Sequence, residues 1–354
     1  MPPFLLSSIE ILIGIVILFW GGELFVKGSV ALSLILGIPQ LVIGLTVVSL
    51  GTSAPELFVS VSSVLKGSAP LAVSNVIGSN IFNIMVVLGT SSLIMPLKVE
   101  SRLVRRDVPL LLAVSAAVWG MASSGRITWQ SGIALFIALI INTLWEIRTV
   151  REEPAGVKDA EPEIDLENTS KSIIKSILLL IVGITLLNIG SKILISGATS
   201  AATLLGVSEV IIGLTIVSAG TSMPELITSL VAAFKGRTDL AIGNVVGSNL
   251  LNQLLVLGSS SIISGKNGLI IDQILINKDM PIMILTTLAL NPIFWSNGKI
   301  SRGEGGILVF SYFLYILDQL IPNILPDLHN GYRLFILCIV IPCTAIYLIF
   351  ESLK

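Results

Sequence analysis

Gly51-Thr52-Ser53-Ala54-Pro55-Glu56 and Gly78-Ser79-Asn80-Ile81-Phe82-Asn83 recur 169 residues later as Gly220-Thr221-Ser222-Met223-Pro224-Glu225 and Gly247-Ser248-Asn249-Leu250-Leu251-Asn252. The offset holds without a gap from Gly51/Gly220 through Gly89/Gly258, and about half of the aligned positions are identical. Both copies lie inside long apolar stretches. A carboxylate near the centre of a bilayer costs about 2.5–3.5 kcal/mol on insertion scales, so it marks a functional site by default. Glu56 and Glu225, at equivalent places in the two copies, point to a duplicated ion site.

Outward from the motifs, the chain is 354 residues long, 53% hydrophobic and 12% charged, about half the charge of an average soluble domain. Apolar segments of about 20 residues, enough to cross a hydrocarbon core of roughly 30 Å, recur from end to end. Eleven spans are expected near 9–34, 40–65, 70–94, 106–123, 127–147, 172–202, 208–234, 239–264, 278–296, 304–322 and 332–351. The first carries Glu10, Glu23 and Lys27 and no basic leader, so it reads as helix 1 and not as a removable signal peptide. Glu23 and Lys27, spaced i, i+4, read as an interfacial pair, as do Lys192 and Glu209 in the second half.

Arg148 to Lys171 is mostly charge, including Glu152-Glu153-Pro154 and Asp159-Ala160-Glu161-Pro162-Glu163, and reads as an acidic linker. Five spans precede it and five equivalent spans follow. Leu36-Gly37-Ile38 matches Leu205-Gly206-Val207, and Asp107-Val108-Pro109 matches Asp279-Met280-Pro281. Gly125-Arg126-Ile127-Thr128 likewise matches Gly298-Lys299-Ile300-Ser301. An odd number of crossings per copy forces the copies into opposite orientations, a construction typical of secondary transporters. The expected fold is an all-α integral membrane protein of two inverted-topology five-helix repeats, ten core helices, plus one extra C-terminal helix. The divisions are residues 1–150, a cytoplasmic linker over 151–171, residues 172–322, and 323–354. With the N-terminus outside, the inner loops collect Lys98, Arg102, Arg105, Arg106, Arg148 and Arg151 among others, which satisfies the positive-inside rule and leaves the C-terminus cytoplasmic.

Ser49, Thr52, Ser53, Glu56 and Ser60 share one helical face, repeated by Ser218, Thr221, Ser222, Glu225 and Ser229. Pro55 and Pro224 cannot bond the carbonyls of Gly51 and Gly220, so each helix is expected to kink there and free an oxygen. That oxygen needs a partner or a cation. Asn75, Ser79 and Asn83, and their counterparts Asn244, Ser248 and Asn252, add amide and hydroxyl oxygens, with Gly78 and Gly247 small enough for close helix approach. Such hard oxygen donors suit Ca2+ or Na+. Cys338 and Cys343 do not share a helical face and read as structural thiols, and His329 reads as a loop residue. A Ser, Thr or Asn taken singly in a membrane helix more often only bonds a neighbouring helix; the doubled glutamates do not fit that bland role. The net charge of −1 points to no nucleic-acid partner.

At these motifs the sequence resembles the cation/calcium exchanger family, sodium/calcium exchanger-like antiporters whose two alpha repeats carry G-T-S-x-P-E and G-S-N-hydrophobic-x-N/D. The resemblance covers about residues 10–320 and leaves the last span outside. It implies a ten-helix fold in two inverted halves, with helices 2, 3, 7 and 8 enclosing the ions and helices 1 and 6 sliding past them. It makes Glu56 and Glu225 the central Ca2+ ligands, and gives Thr52, Ser53, Thr221 and Ser222 oxygens for Ca2+ or Na+. Ser79, Asn83, Ser248, Asn252 and the carbonyls of Ser49 and Ser218 match the remaining ion contacts. One departure is Asn252, where many such exchangers and the potassium-dependent branch carry aspartate; coupled K+ transport is therefore disfavoured. A Gly-Asn-x-x-Glu motif typical of proton/calcium exchangers is not seen in helix 2, which favours Na+ as the counter-ion.

Two facing carboxylates in a low-dielectric site repel unless cations neutralise them. Only loaded states then cross between inward- and outward-facing forms. The expectation is a Ca2+/Na+ antiporter of a prokaryotic-type plasma membrane, monomeric, with membrane lipid as its environment and without a cofactor. The nearest alternative is H+/Ca2+ or other H+/cation exchange through the same glutamates. A channel would need no inverted repeat. An intramembrane enzyme would need a nucleophile or second metal-ligand type beside the carboxylates.

Overall fold

The computed structural model describes residues 3–152, 169–205, 218–295, 298–324 and 326–352, and these are almost wholly helical. Most of the expected linker, Gly206-Val207 and Glu209 lie outside the described residues. The first half comprises α1 (Pro3–Leu36), α2 (Gln40–Thr52), α3 (Ala54–Leu65), α4 (Ala69–Ile94), α5 (Val108–Ala122) and α6 (Trp129–Glu152). The second comprises α7 (Thr169–Leu204), α8 (Ser218–Thr221), α9 (Met223–Phe234), α10 (Thr238–Ile263), α11 (Met280–Trp295) and α12 (Arg302–Ile324). α13 (His329–Phe335) and α14 (Ile341–Ser352) follow.

Among the described residues six helices, α1, α4, α6, α7, α10 and α12, are long and apolar enough to cross a membrane, and α2 with α3 makes a seventh bent by 43°. Eleven spans were expected from the sequence. Part of the difference is physical: α5 and α11 have 15 and 16 residues because π-helical turns at Leu103–Asp107 and Leu275–Asp279 precede them. The last apolar stretch is divided by another, Ile336–Val340. The seventh expected span, 208–234, is only partly described.

Burial sorts the helices into two layers. The apolar stretches of α4 and α10 are 72% and 89% buried, whereas those of α1, α6, α7 and α12 are between 11% and 28% buried. The outer helices display large apolar side chains such as Trp20, Ile141, Ile181 and Phe313, as lipid-facing helices must. The protein is a multi-pass integral membrane protein. Its inner core lies where Ile77, Ile81 and Leu111 meet Leu250, Leu254 and Met283.

α1 and α7 run antiparallel in contact along their length, and glycines set the seam. A Cβ on Gly14 would lie 2.7 Å from the Leu194 nitrogen, on Gly21 2.8 Å from that of Leu187, and on Gly28 2.9 Å from the Ser176 carbonyl. From the other side, Gly183 meets the Phe25 nitrogen at 2.7 Å, Gly190 that of Leu18 at 2.9 Å, and Gly197 the Ser7 carbonyl at 2.9 Å. These glycines recur every seven residues in each helix, the spacing that keeps one face toward a partner. Other small-residue crossings join the halves outside the seam: Gly89 abuts the Gly305 carbonyl, Gly132 the carbonyl of Gly258, and Gly44 the Cα of Gly243.

Short antiparallel pairs tie the two copies crosswise. Strand β1 (Leu97–Lys98) pairs with β4 (Lys299–Ile300), and β2 (Arg126–Ile127) with β3 (Leu269–Ile270). Thus the α4–α5 loop pairs with the α11–α12 loop, and the α5–α6 loop with the α10–α11 loop. Gly67 and Gly236 adopt φ of 81° and 71° just after α3 and α9, the left-handed geometry that ends a helix and that only glycine takes without strain. Beside Gly67, Pro70 restarts the chain in the first turn of α4.

Arg102 and Arg106 do not remain loop charges. Both pair with the buried Glu146 of α6 and approach Asp107, and Arg106 also donates to Asn142 and lies over Trp145. The equivalent place in the second half holds Lys278 with Asp318 at 2.5 Å, beside Asp279, which accepts from Tyr315 and Gln319. Glu23 and Lys27 are both exposed, but Glu23 bonds Lys235, just beyond the end of α9, at 3.1 Å; the tertiary contact supplies a partner that i, i+4 spacing had assigned within the helix.

Candidate ion-binding site

The α2/α3 break falls at Ser53, whose ψ of 3° leaves the helical region, and Ser222 does the same with ψ of 11°. Pro55 and Pro224 then sit in the first turn of α3 and α9, so Glu56 and Glu225 occupy helix N-terminal turns. Partial positive charge at a helix start favours a carboxylate there. Both glutamates are fully buried.

The surrounding bonds cross between the halves. Ser222 of the second copy donates to Oε1 of Glu56 at 3.1 Å and lies 3.0 Å from the Ser79 hydroxyl, which reaches Glu56 at 3.5 Å. Ser53 of the first copy donates to Oε1 of Glu225 at 3.2 Å. Thr52 donates to Oδ1 of Asn244 at 3.0 Å and lies 3.3 Å from the Ser248 hydroxyl, while Thr221 donates to Oδ1 of Asn75 at 3.3 Å. Asn75 in turn bonds the Glu56 carbonyl and Ser60, and Asn244 bonds the Glu225 carbonyl and Ser229. Each broken helix is therefore held by the amide of its own half and the hydroxyls of the other.

Asn83 stands one helical turn from Ser79 on the same face of α4, and Asn252 one turn from Ser248 on α10. Each begins a six-residue π-helical turn, Asn83–Leu88 and Asn252–Leu257, a distortion frequent at functional sites. Both asparagines are fully buried. Among the described residues, Oε2 of Glu56, Oε2 of Glu225, Oδ1 of Asn83 and Oδ1 of Asn252 are buried acceptors without a hydrogen-bond partner. An unpaired buried acceptor is costly, and a carboxylate oxygen more so. All four atoms suit a hard cation, and among the described residues no group of three His, Cys, Asp or Glu offers an alternative metal cluster.

The backbone candidates divide. The carbonyl of Ser49 accepts the Ser53 N–H at 2.9 Å and the Thr52 hydroxyl at 3.4 Å, so the helix uses it already. The carbonyl of Gly220, released by Pro224, accepts the Ser191 hydroxyl of α7 at 2.6 Å. Gly51 packs against the Phe25 ring and Gly220 against Ile195. The side chain of Ser218 lies outside the described residues. Gly247 lets α10 approach the Leu45 carbonyl to 2.6 Å, measured from where a Cβ would stand; the residues equivalent to Leu45 that would face Gly78 are outside the described set.

Sequence reasoning did not single out Asn80 and Asn249, which the fold brings into hydrogen-bond contact with Asn252 and Asn83, respectively. Their signal was present, since both recur inside the doubled motif.

The model of the family described as sodium/calcium exchanger protein matches residues 7–148 and 175–321, most of the chain. The chain belongs to the sodium/calcium exchanger family. It is 35% identical over 319 residues to the putative antiporter CaxA of Alkalimonas amylolytica, covering 88% of this chain and 98% of that protein. It is 30% identical over 341 residues to the sodium/calcium exchanger MaX1 of Methanosarcina acetivorans, covering 87% and 96%. The solved sodium-calcium exchanger NCX_Mj superposes with a TM-score of 0.75 at 29% identity, over 88% of this chain and 98% of that one. Exchanger homology and this fold support a cation/Ca2+ antiporter, in line with relatives that are named as exchangers and antiporters.

Proposed function

We propose that the protein exchanges Ca2+ for Na+ by alternating access, with Glu56 and Glu225 as the central ligands. The observation that carries this is the set of four buried, unpartnered acceptor oxygens on Glu56, Glu225, Asn83 and Asn252. Ser79, Ser248, Thr52, Ser53, Thr221 and Ser222 complete the polar lining, and the breaks at Gly51-Pro55 and Gly220-Pro224 give the two helices their hinge.

The electrostatics follow from two carboxylates and no third. One Ca2+ neutralises the pair, and so do two Na+ ions; an empty site holds two like charges away from water. The loaded forms cross the membrane and the empty form resists occlusion, which couples the two fluxes. MaX1 and NCX_Mj both carry sodium and calcium in their names, which supports the same pair of ions here.

Ten core helices in two inverted halves, with the C-terminal helix added, suit this mechanism. The crosswise strand pairs support that topology, because loops of the two copies that are not equivalent meet at each end. In this reading the N-terminus lies outside a prokaryotic plasma membrane and the C-terminus inside, with residues 1–150 and 172–322 as the two repeats.

The test is 45Ca2+ uptake by proteoliposomes under an outward Na+ gradient, with sodium-free and proton-gradient controls. Na+-driven uptake that is lost in Glu56→Gln and Glu225→Gln is the expected result. Uptake driven only by the proton gradient assigns H+/Ca2+ exchange instead, and full activity in either variant removes the glutamates from the site.

A further inference from the structure

We propose that Asn80 and Asn249 are positioning residues that force Asn252 and Asn83 to present their amide oxygens, and not their NH2 groups, to the transported cation. The four amides form one closed arrangement in which every side chain is buried. Nδ2 of Asn80 donates to the backbone carbonyl of Asn249 at 3.3 Å, and Nδ2 of Asn249 donates to the carbonyl of Asn80 at 3.3 Å. Nδ2 of Asn252 donates to Oδ1 of Asn80 at 3.2 Å, and Nδ2 of Asn83 to Oδ1 of Asn249 at 3.1 Å.

The orientation of an asparagine amide is decided by its hydrogen-bond network, because its oxygen and nitrogen have nearly the same shape. A backbone carbonyl removes the ambiguity, since it can only accept. Asn80 must therefore turn its NH2 toward Asn249, which leaves its oxygen facing Asn252. An oxygen accepts only from an N–H, so Asn252 must turn its own NH2 inward and its Oδ1 away. The same logic runs from Asn249 to Asn83. Its products are the two orphaned oxygens, Oδ1 of Asn83 and Oδ1 of Asn252. Met283 Sδ, 3.7 Å from Nδ2 of Asn80, is a further weak acceptor on the donor side. Gln253 adds a second donor to the Asn249 carbonyl at 3.4 Å.

Without this constraint either outer amide could rotate and offer a cation two N–H dipoles of the wrong sign. In a site holding only two carboxylates, the polarity of two amides is a large share of the available field. Asn80 and Asn249 thus act on the ion through their neighbours.

The inference rests on the exchange reading of the site, and the experiment separates the two. Purified full-length protein in proteoliposomes is assayed for Na+-driven 45Ca2+ uptake as wild type, Asn80→Asp, Asn249→Asp and Asn80→Ala. Aspartate keeps the acceptor oxygen but donates to the facing carbonyl only when protonated. We expect the Ca2+ KM of both aspartate variants to rise tenfold or more at pH 8, with Vmax within threefold of wild type. Asn80→Ala, which removes the donor and the acceptor together, is expected to show the raised KM as well; a role in packing alone would lower Vmax and leave the KM unchanged. A KM within twofold of wild type in Asn80→Ala, or in both aspartate variants at pH 8, overturns the inference while the exchange reading stands. Wild-type vesicles that take up no Ca2+ under any gradient overturn both.

Discussion

The Ser191 hydroxyl donates to the carbonyl of Gly220 at 2.6 Å, so the oxygen that Pro224 strips of its helical partner is satisfied by a neighbouring helix. Position 22, the counterpart of Ser191 in the first half, is glycine and carries no hydroxyl. The duplicated site is therefore held asymmetrically, with one broken helix bonded to the long outer helix beside it. Replacing Ser191 by Ala leaves a buried carbonyl unpaired, a loss of about 1–3 kcal/mol. A lower melting temperature in detergent is expected for Ser191→Ala, with Ser191→Thr close to wild type; equal melting of all three would show that the bond contributes nothing.

The hydroxyls that reach across to the carboxylates should tune ion affinity. Ser222 bonds Glu56 and Ser53 bonds Glu225, and a hydrogen bond to a charged group contributes about 1.5–3 kcal/mol. Ser222→Ala and Ser53→Ala are each expected to raise the Ca2+ KM by about tenfold or more. Titrating uptake against external Ca2+ reads this directly, and an effect in only one of the two would break the proposed equivalence of the halves.

The glycine seam between α1 and α7 has no room for a side chain. Gly183→Val drives branched carbons into the Phe25 backbone, already 2.7 Å from a hypothetical Cβ, and is expected to abolish folding or transport. Gly120 is exposed on α5 with no described atom within 4 Å of its would-be Cβ. Gly120→Ala is expected to be neutral, or stabilising by about 0.5–1 kcal/mol, because helical glycine costs backbone entropy. Size-exclusion profiles and melting curves of the two variants side by side make the comparison.

Glu146 is 4% exposed and faces two arginines. Removing one partner of a buried ion pair costs about 3–5 kcal/mol, and the partial exposure of Arg102 and Arg106 places the expected loss for Glu146→Gln near the lower end. A reduced melting temperature with an unchanged Ca2+ KM is the expected signature. An altered KM with unchanged melting would move this network from scaffolding to ion handling.

Much of this could be read along the chain. Hydropathy and the doubled motif reveal a membrane protein with two related halves, and Pro55 foretells the bend between α2 and α3. The glycine heptads were visible but unweighed, because a small residue declares its purpose only when something packs on it. Glu146 lay in an expected span while Arg102 and Arg106 counted as loop charges, since periodicity says nothing about contacts between elements. Asn80 and Asn249 were hidden by their companions: a motif shows which residue types recur, not which of them bond one another across the halves.

The sequence by itself determined the buried carboxylates, the helix breaks beside them and the duplication, because these depend on residue type and on spacing of a few residues along one helix. Only the tertiary structure decided that Ser222 serves Glu56 and Ser53 serves Glu225, and that the asparagine amides lock one another. Those bonds join residues 166 to 172 positions apart, and a hydrogen bond of about 3 Å is set by how helices pack, which no local pattern encodes.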